Sequence, residues 1–454
     1  MRASILRGGR VIDPANVLDG VLDLRVIDGR IDAIEPAGTL PTQTGVAEVD
    51  VRGWWVMPGL IDAHVHLRDP GFPQKETIGS GLRAAAAGGF TAVAAMANTS
   101  PANDSPDITR YMTTQAKAAH AAALVPVSAV SKGLMGVETV DYRAMVEAGA
   151  RLFSDDGMPI DDQSLLRRAI DEISDLGFVV SLHEEDRTLA GEGAVNAGDI
   201  SKRLGVAGVP IAAESKRVRR DLTLAVGAGK PLHLAHMSTA ESIALIRAAR
   251  RNGAKVTCEV TPHHFTLDES AVLEWGPNAK MNPPLRASGD VAALHAAMAD
   301  GTIDLIASDH APHDYASKEI DLLINSFGPA RGGRELTEEE VRAMTRAANG
   351  VVGLETALGL ALELVHRSVI SLVRMVEMMS INPARLLRLE SGTLGVGEVA
   401  DITVVDPNLS WTVEPRRFLS LSRNTPFAGR RLKGKAMLTI VAGEIVYDGR
   451  SAKE

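Results

Sequence analysis

The chain has 454 residues, 45% of them apolar and 23% charged, with a formal net charge of −9 and one cysteine. These proportions exclude intrinsic disorder, collagen-like or coiled-coil architecture and an intrachain disulfide framework. A mild acidic balance without a long Lys/Arg block also argues against a nucleic-acid partner, and "SKRVRR" (Ser215 to Arg220) reads as a solvated helix face.

In chain order, residues 1–54 alternate short β-like runs such as "ASILRGG" and "DLRVIDGRIDAIEP" with Asp-Gly and Gly-Gly turns. The N-terminal "MRASILRGGRVIDP" lacks the apolar centre of a signal peptide, and no run reaches the roughly 18 apolar residues of a membrane helix. With Cys258 as a lone thiol, the expected location is cytoplasmic. From Trp55 to residue 392, eight apolar runs alternate with segments of helical period. The runs are "VMPGLIDAHVH", "FTAVAAMA", "ALVPVSAV", "ARLFSD", "FVVSLH", "PLHLAHM", "KVTCEVTPHH" and "TIDLIASDH". Eight strand–helix repeats predict an α/β fold of the (β/α)8 TIM-like barrel type. A doubly wound open sheet is the alternative, but no Gly-rich phosphate turn follows the first strand to support it. Residues 393–454 return to β-like runs, so the two ends are expected to pair as a small β-sandwich domain, residues 1–54 with 393–454, beside a barrel over 55–392.

In such a barrel the chemistry gathers at the C-terminal strand ends. The first run places Asp62, His64 and His66 on one face of a strand, and Arg68 continues that face. The fourth run ends in Asp155 and Asp156, the fifth in His183, the sixth in His236 and the eighth in Asp309. A lone histidine or an Asp before Gly is usually structural. Jointly, however, these imidazoles and carboxylates suit Zn2+ or a similar divalent ion, and two ions about 3.5–4 Å apart would share a carboxylate. His233, three residues before His236, faces the other side; His263 and His264 read as structural, and Cys258 as a small buried hydrophobe. Metal-activated water attacking a polarised carbonyl makes hydrolysis of an amide the expected reaction, with Asp309 as general base and then general acid. Arg68 could hold a substrate carboxylate bidentately, with Asn98 beside it, so the substrate should be a small anion.

The strings "HVHLRDPGFPQKETIGSGLRAAAAGGFTAVAAMANTSP", "FSDDG", "SLHEED", "LAHMSTAES", "VTPHHF", "MNPPLR", "SDHAPH", "GLETALGL" and "NTPFAG" resemble, in this order and over essentially the full length, bacterial type I dihydroorotases of the amidohydrolase superfamily. "HLRDPG", "MNPPLR" and "SDHAPH" together separate these from allantoinases, hydantoinases and dihydropyrimidinases, the alternative reading. The resemblance implies two zinc ions per chain: His64, His66 and Asp309 on one, His183 and His236 on the other, and Asp156 bridging, as in the subgroup that uses aspartate instead of a carboxylated lysine. It further implies that Arg68, Asn98 and His313 bind the substrate carboxylate and Asn282 its ring. The implied reaction is the reversible interconversion of N-carbamoyl-L-aspartate and L-dihydroorotate in pyrimidine synthesis. A homodimer and a complex with aspartate transcarbamoylase are the partners it suggests, and an inactive scaffold for that complex is the non-enzymatic alternative; all six ligand positions being filled argues against it.

One departure stands out. Between "SDHAPH" and "GLETALGL" the family usually has a short loop with a Phe-Gly pair that closes over the substrate; here an insertion at about 314–348 intervenes. Asn349 and Gly350 align with that pair, while Phe327-Gly328 offers a second candidate. Thr337 and Glu340 have capping-box spacing, predicting an extra helix within the insertion.

Overall fold

The computed structural model describes residues 3–42, 44–328 and 334–451. Each of the eight apolar runs forms a strand: β1 (Leu60–Val65), β2 (Phe90–Ala95), β3 (Ala123–Ser128), β4 (Leu152–Phe153), β5 (Val180–Leu182), β6 (Leu232–Leu234), β7 (Val256–Val260) and β8 (Leu305–Ile306). They lie side by side in chain order, and every neighbouring pair is parallel. The first and last meet through a parallel bridge of Val65 with His310, where the His66 N–H donates to the His310 carbonyl at 2.8 Å. That contact makes the sheet a nearly closed barrel and rules out the doubly wound alternative.

The helices outside the barrel form for local reasons. In Gln163–Asp175, Asp162 caps the N-terminus by accepting from the Ser164 and Leu165 N–H groups. Leu165, Leu166, Ala169, Ile170 and Ile173 recur at helical spacing and are buried on the barrel. Burying each of the larger side chains contributes about 1.5–3 kcal/mol.

Residues from both ends of the chain share a second, eight-stranded sheet. Trp55–Pro58 sits at its centre, parallel to Ala3–Asp13 on one side and antiparallel to Ile402–Thr412 on the other. A separate core of Leu6, Val11, Leu24, Val56, Ile402, Val404, Leu438 and Ile440 holds the sheet together. The run "VMPGLIDAHVH", expected as one strand, is therefore divided: its start belongs to this sheet and its end to the barrel. Gly59 marks the break, where a Cβ would stand 2.2 Å from Thr91 Oγ1. The run "KVTCEVTPHH" is also shorter than its apolar character suggests, because Thr261 caps a one-turn helix, Pro262–Thr266, that takes both histidines out of β7. Within the insertion, Ile320–Leu323 and Glu338–Arg346 are helical, and Thr337 and Glu340 form the capping box their spacing predicts. Residues 329–333 of the insertion lie outside the described residues.

Candidate active site

The strand ends bring the expected polar residues into one cavity of about 240 Å3, lined by His66, Arg68, Asn98, Asp156, His183, Asn282, His236, Asp309, His313, Asn349 and Gly350 among others. His64 lies just beneath its floor and is fully buried. Three of these residues, Arg68, His236 and Asp309, have positive φ (59°, 35° and 47°), a conformation uncommon for side-chain-bearing residues and concentrated here where the strands give way to loops.

Asp156 sits at the centre. Its Oδ1 lies 3.5 Å from His64 Nε2, His183 Nδ1 and His236 Nε2, and its Oδ2 lies 3.4 Å from His66 Nε2. Asp309 Oδ1 approaches His66 Nε2 at 3.1 Å and His64 Nε2 at 3.6 Å. Burial alone would raise the Asp156 pKa, but His64, His183 and His236 hold it well below the usual carboxylate range. Burial likewise opposes ionisation of Asp309, and His66 and His64 overcome it. Burial pulls His183 down, yet Asp156 and Glu185 raise it to about 9. The two carboxylates and the His64 and His183 imidazoles thus favour each other's charged forms, whereas burial lowers His66.

The donor set fits a metal ion on independent grounds. His64 Nε2 and Asp156 Oδ1 are buried without a hydrogen-bond partner, a costly state unless something else binds them. The ligand atoms form two overlapping groups, His64–His66–Asp156 and Asp156–His183–His236, with Asp156 common to both. The far nitrogens of two of these imidazoles are fixed from behind: His64 Nδ1 by Glu259 Oε1 at 2.7 Å and His66 Nδ1 by Asn98 Oδ1 at 2.8 Å. Glu259 also accepts from His233 Nε2 at 3.1 Å, so His233 faces inward beneath the metal cluster. Asp155, next to Asp156, turns away to accept from the Val130 and Ser131 N–H groups.

On the opposite wall Arg68 has no carboxylate partner among the described residues; its Nη2 meets His313 Nε2 at 3.2 Å and its Nε the Pro312 carbonyl at 3.3 Å. Burial lowers its pKa to about 10, which leaves it cationic at neutral pH. Burial and the adjacent Arg68 push His313 down to about 2, so His313 is neutral. Asn282 donates to Glu185 Oε1 at 3.1 Å and contacts His183 Nε2 at 3.3 Å. Of the two candidates for the closing contact, Asn349 and Gly350 line the cavity, whereas Phe327 packs on Gly276 in a separate apolar cluster.

Four residues of this site escaped the sequence reading. Glu259 carried a signal, a carboxylate at an inward position in the middle of the apolar run "VTCEV". Lys75, whose Nζ lies 3.3 Å from His313 Nδ1, and Asn424, which bonds the His313 N–H and the Gly350 carbonyl, fall inside the quoted family strings, which assigned them no role; Lys318, in the insertion, carried no signal.

Comparison with known proteins agrees with this geometry. The family profile described as dihydro-orotase-like matches residues 53–242, and the amidohydrolase family profile matches 342–447. Dihydroorotases of Citrifermentans bemidjiense and Geobacter metallireducens are each 44% identical over 443 residues, covering 98% of this chain and 99% of theirs. Among solved structures, the L-hydantoinase (dihydropyrimidinase) of Arthrobacter aurescens superposes with a TM-score of 0.85 at 27% identity, over 99% of this chain and 97% of the other. With near-complete coverage at that identity and a buried histidine–aspartate cluster at the barrel mouth, the chain belongs to the dihydroorotase family of the amidohydrolase superfamily.

Proposed function

We propose that the cavity interconverts N-carbamoyl-L-aspartate and L-dihydroorotate. The observation that carries this reading is Arg68: a half-buried guanidinium with no carboxylate in hydrogen-bond reach among the described residues, facing the histidine–aspartate cluster across a cavity sized for a small molecule. Asp309 and Asp156 favour its charge from a distance but do not pair with it, so its N–H groups are open to a substrate carboxylate. The hydantoinase fold neighbour is compatible with a related cyclic amide as substrate, but Arg68 is what a carboxylated ring requires and a neutral ring does not.

Two zinc ions fit the two overlapping ligand groups: His64, His66 and Asp309 would hold one, His183 and His236 the other, and Asp156 both. When bound, they supply Lewis-acid polarisation of the scissile carbonyl and lower the pKa of water. The remaining chemistry belongs to the chain. Arg68 and Asn98 would fix the substrate carboxylate, with neutral His313 beside them, and Asn282 would hold the ring. Asp309 Oδ2 accepts no hydrogen bond from the described residues and its carboxylate is ionised. In the ring-opening direction it takes the proton of the attacking water and delivers it to the amide nitrogen as the C–N bond breaks. In ring closure it removes a proton from the ureido nitrogen and returns it to the departing oxygen.

The substrates suggest a soluble enzyme of the cytoplasm, and no helix among the described residues is long and apolar enough to cross a membrane. A homodimer and association with aspartate transcarbamoylase belong to the same proposal. The deciding assay compares turnover of dihydroorotate, dihydrouracil and allantoin. Dihydroorotate should be strongly preferred, and Arg68→Met should raise its KM by about 10- to 100-fold, the cost of a charged hydrogen-bond pair. Brisk turnover of dihydrouracil with none of dihydroorotate would overturn the assignment.

A further inference from the structure

A second cavity, of about 700 Å3, lies where the barrel meets the terminal sheet and shares no residue with the catalytic one. Its walls combine the aromatic and apolar side chains of Trp411, Phe418 and Met437 with Lys435 and Tyr447. Lys435 Nζ stands 5.1 Å from the centre of the Trp411 ring and has no carboxylate partner among the described residues. The Tyr447 hydroxyl also has no hydrogen-bond partner among them. The other charges are occupied: Arg417 pairs with Glu414 at 3.3 Å, and Glu355 accepts from the Leu419 and Ser420 N–H groups at 3.0 and 3.1 Å. What lies open is an ammonium and a phenol, each in the field of Glu355 but not hydrogen-bonded to it, with the Ser410 and Thr412 side chains and an apolar surface beside them, within the size range of small-molecule sites and at a domain junction, where such sites concentrate.

The wall also leads to the substrate. From Phe418 the chain runs through Ser420 and Leu421, both bonded to the buried Glu76 carboxylate, to Asn424. Asn424 accepts the His313 N–H at 3.0 Å and donates to the carbonyls of Ala311 at 2.9 Å and Gly350 at 3.0 Å. A displacement at Phe418 is therefore six residues from Asn424, which shapes the catalytic wall.

We propose that this junction cavity binds a small organic anion with a flat apolar body, its charge on Lys435 and its ring among Trp411, Phe418 and Met437. Occupancy is felt at the substrate site through residues 418–424. The test uses the full-length, metal-loaded enzyme and 1-naphthoate as probe, by isothermal titration. Saturable binding, one probe per chain, should persist in saturating dihydroorotate. Lys435→Gln should weaken it at least about tenfold, the loss of one charged contact, and Tyr447→Phe about threefold. Both variants should keep wild-type turnover without probe. In its presence the wild-type KM for dihydroorotate should shift at least about twofold. Failure to saturate, displacement by dihydroorotate or affinity unchanged in both variants would overturn the site. Binding with no change in KM would overturn the coupling. The titration does not depend on the catalytic assignment, so its failure is distinguishable from failure of that reading.

Discussion

His64, proposed as a metal ligand, illustrates how a neighbour that lines no part of the cavity can set the behaviour of a site residue. Its Nδ1 is held by Glu259, which leaves Nε2 as the lone pair aimed at Asp156 and Asp309. Glu259→Gln preserves volume but can present an amide N–H where an acceptor is needed. Metal affinity, measured by competition with a chromophoric chelator, should fall about 10- to 100-fold; wild-type affinity would show that Glu259 does not orient the ring. His264 is a histidine of another kind. Its Nε2 faces the Pro283 carbonyl at 2.9 Å and its Nδ1 the Thr261 hydroxyl at 2.7 Å, an arrangement that uses the neutral ring as one donor and one acceptor. Burial lowers its pKa from 6.5 to about 4. Between those values the unfolded chain binds a proton that the native ring refuses, so stability declines as pH falls through 6.5 and the loss is complete below 4. The full effect is about 3 kcal/mol. His264→Gln should lose less thermal stability between pH 7 and pH 4 than wild type does; an equal loss would place the acid sensitivity elsewhere.

At the level of elements, periodicity made the eight strands legible, and the rule that barrel chemistry sits at C-terminal strand ends made the histidine–aspartate cluster legible. Both signals are local: an apolar run announces a strand, and His or Asp at its end announces exposure to the mouth. What stayed hidden depends on contacts between remote segments. Nothing in "VMPGLIDAHVH" marks the transfer from one sheet to another, because Gly59 is needed only for its approach to Thr91. The insertion is the clearest case. Lys318 is fully buried within it, and its Nζ donates to the carbonyls of Lys280, Ala348 and Gly350 at 3.1, 2.8 and 3.0 Å. Lys280 Nζ in turn donates to the Thr345 and Ala347 carbonyls at 2.8 and 2.6 Å. The inserted segment is thereby stitched to Asn349 and Gly350. Gly350 has φ of 125°, and a Cβ there would stand 2.4 Å from that of Ala311. This geometry describes a strut that sets the cavity wall. Lys318→Met removes the one ammonium that joins three carbonyls; the Lys280 and Gly350 carbonyls keep the Gly350 N–H and Asn424 as donors, but the tie between insertion and cavity wall is lost, so KM for dihydroorotate should rise about tenfold. Turnover should fall much less, since Asp309 and the histidines are held from the barrel strands. Equal losses in both constants would assign the insertion a part in the chemical step.

Across the whole molecule, the histidine–aspartate cluster would, with metal bound, tie together parts of the barrel that the sheet joins only in sequence. Its residues come from the ends of β1, β4, β5, β6 and β8, so the cluster spans the mouth, including the seam closed by Val65 and His310. Of these strands, β4, β5, β6 and β8 are only two or three residues long, and their ladders supply few hydrogen bonds. Cross-links at their ends should therefore matter to stability as well as to catalysis. A ligand that binds only the native state stabilises it by RT ln(1 + [L]/Kd), about 4 kcal/mol at a thousandfold excess over Kd. Unfolding this chain exposes far more surface than a small domain does, so the same free energy moves its melting temperature by only about 4 °C. Dialysis against dipicolinate should lower the melting temperature by that amount, and added zinc should restore it together with activity. Asp156→Asn removes the carboxylate shared by both ligand groups, so its melting temperature should be low from the outset and respond little to either treatment. If chelation abolished activity while the wild-type melting temperature stayed constant, the barrel would owe its closure to packing and to the His66–His310 contact, and the metal would serve chemistry alone.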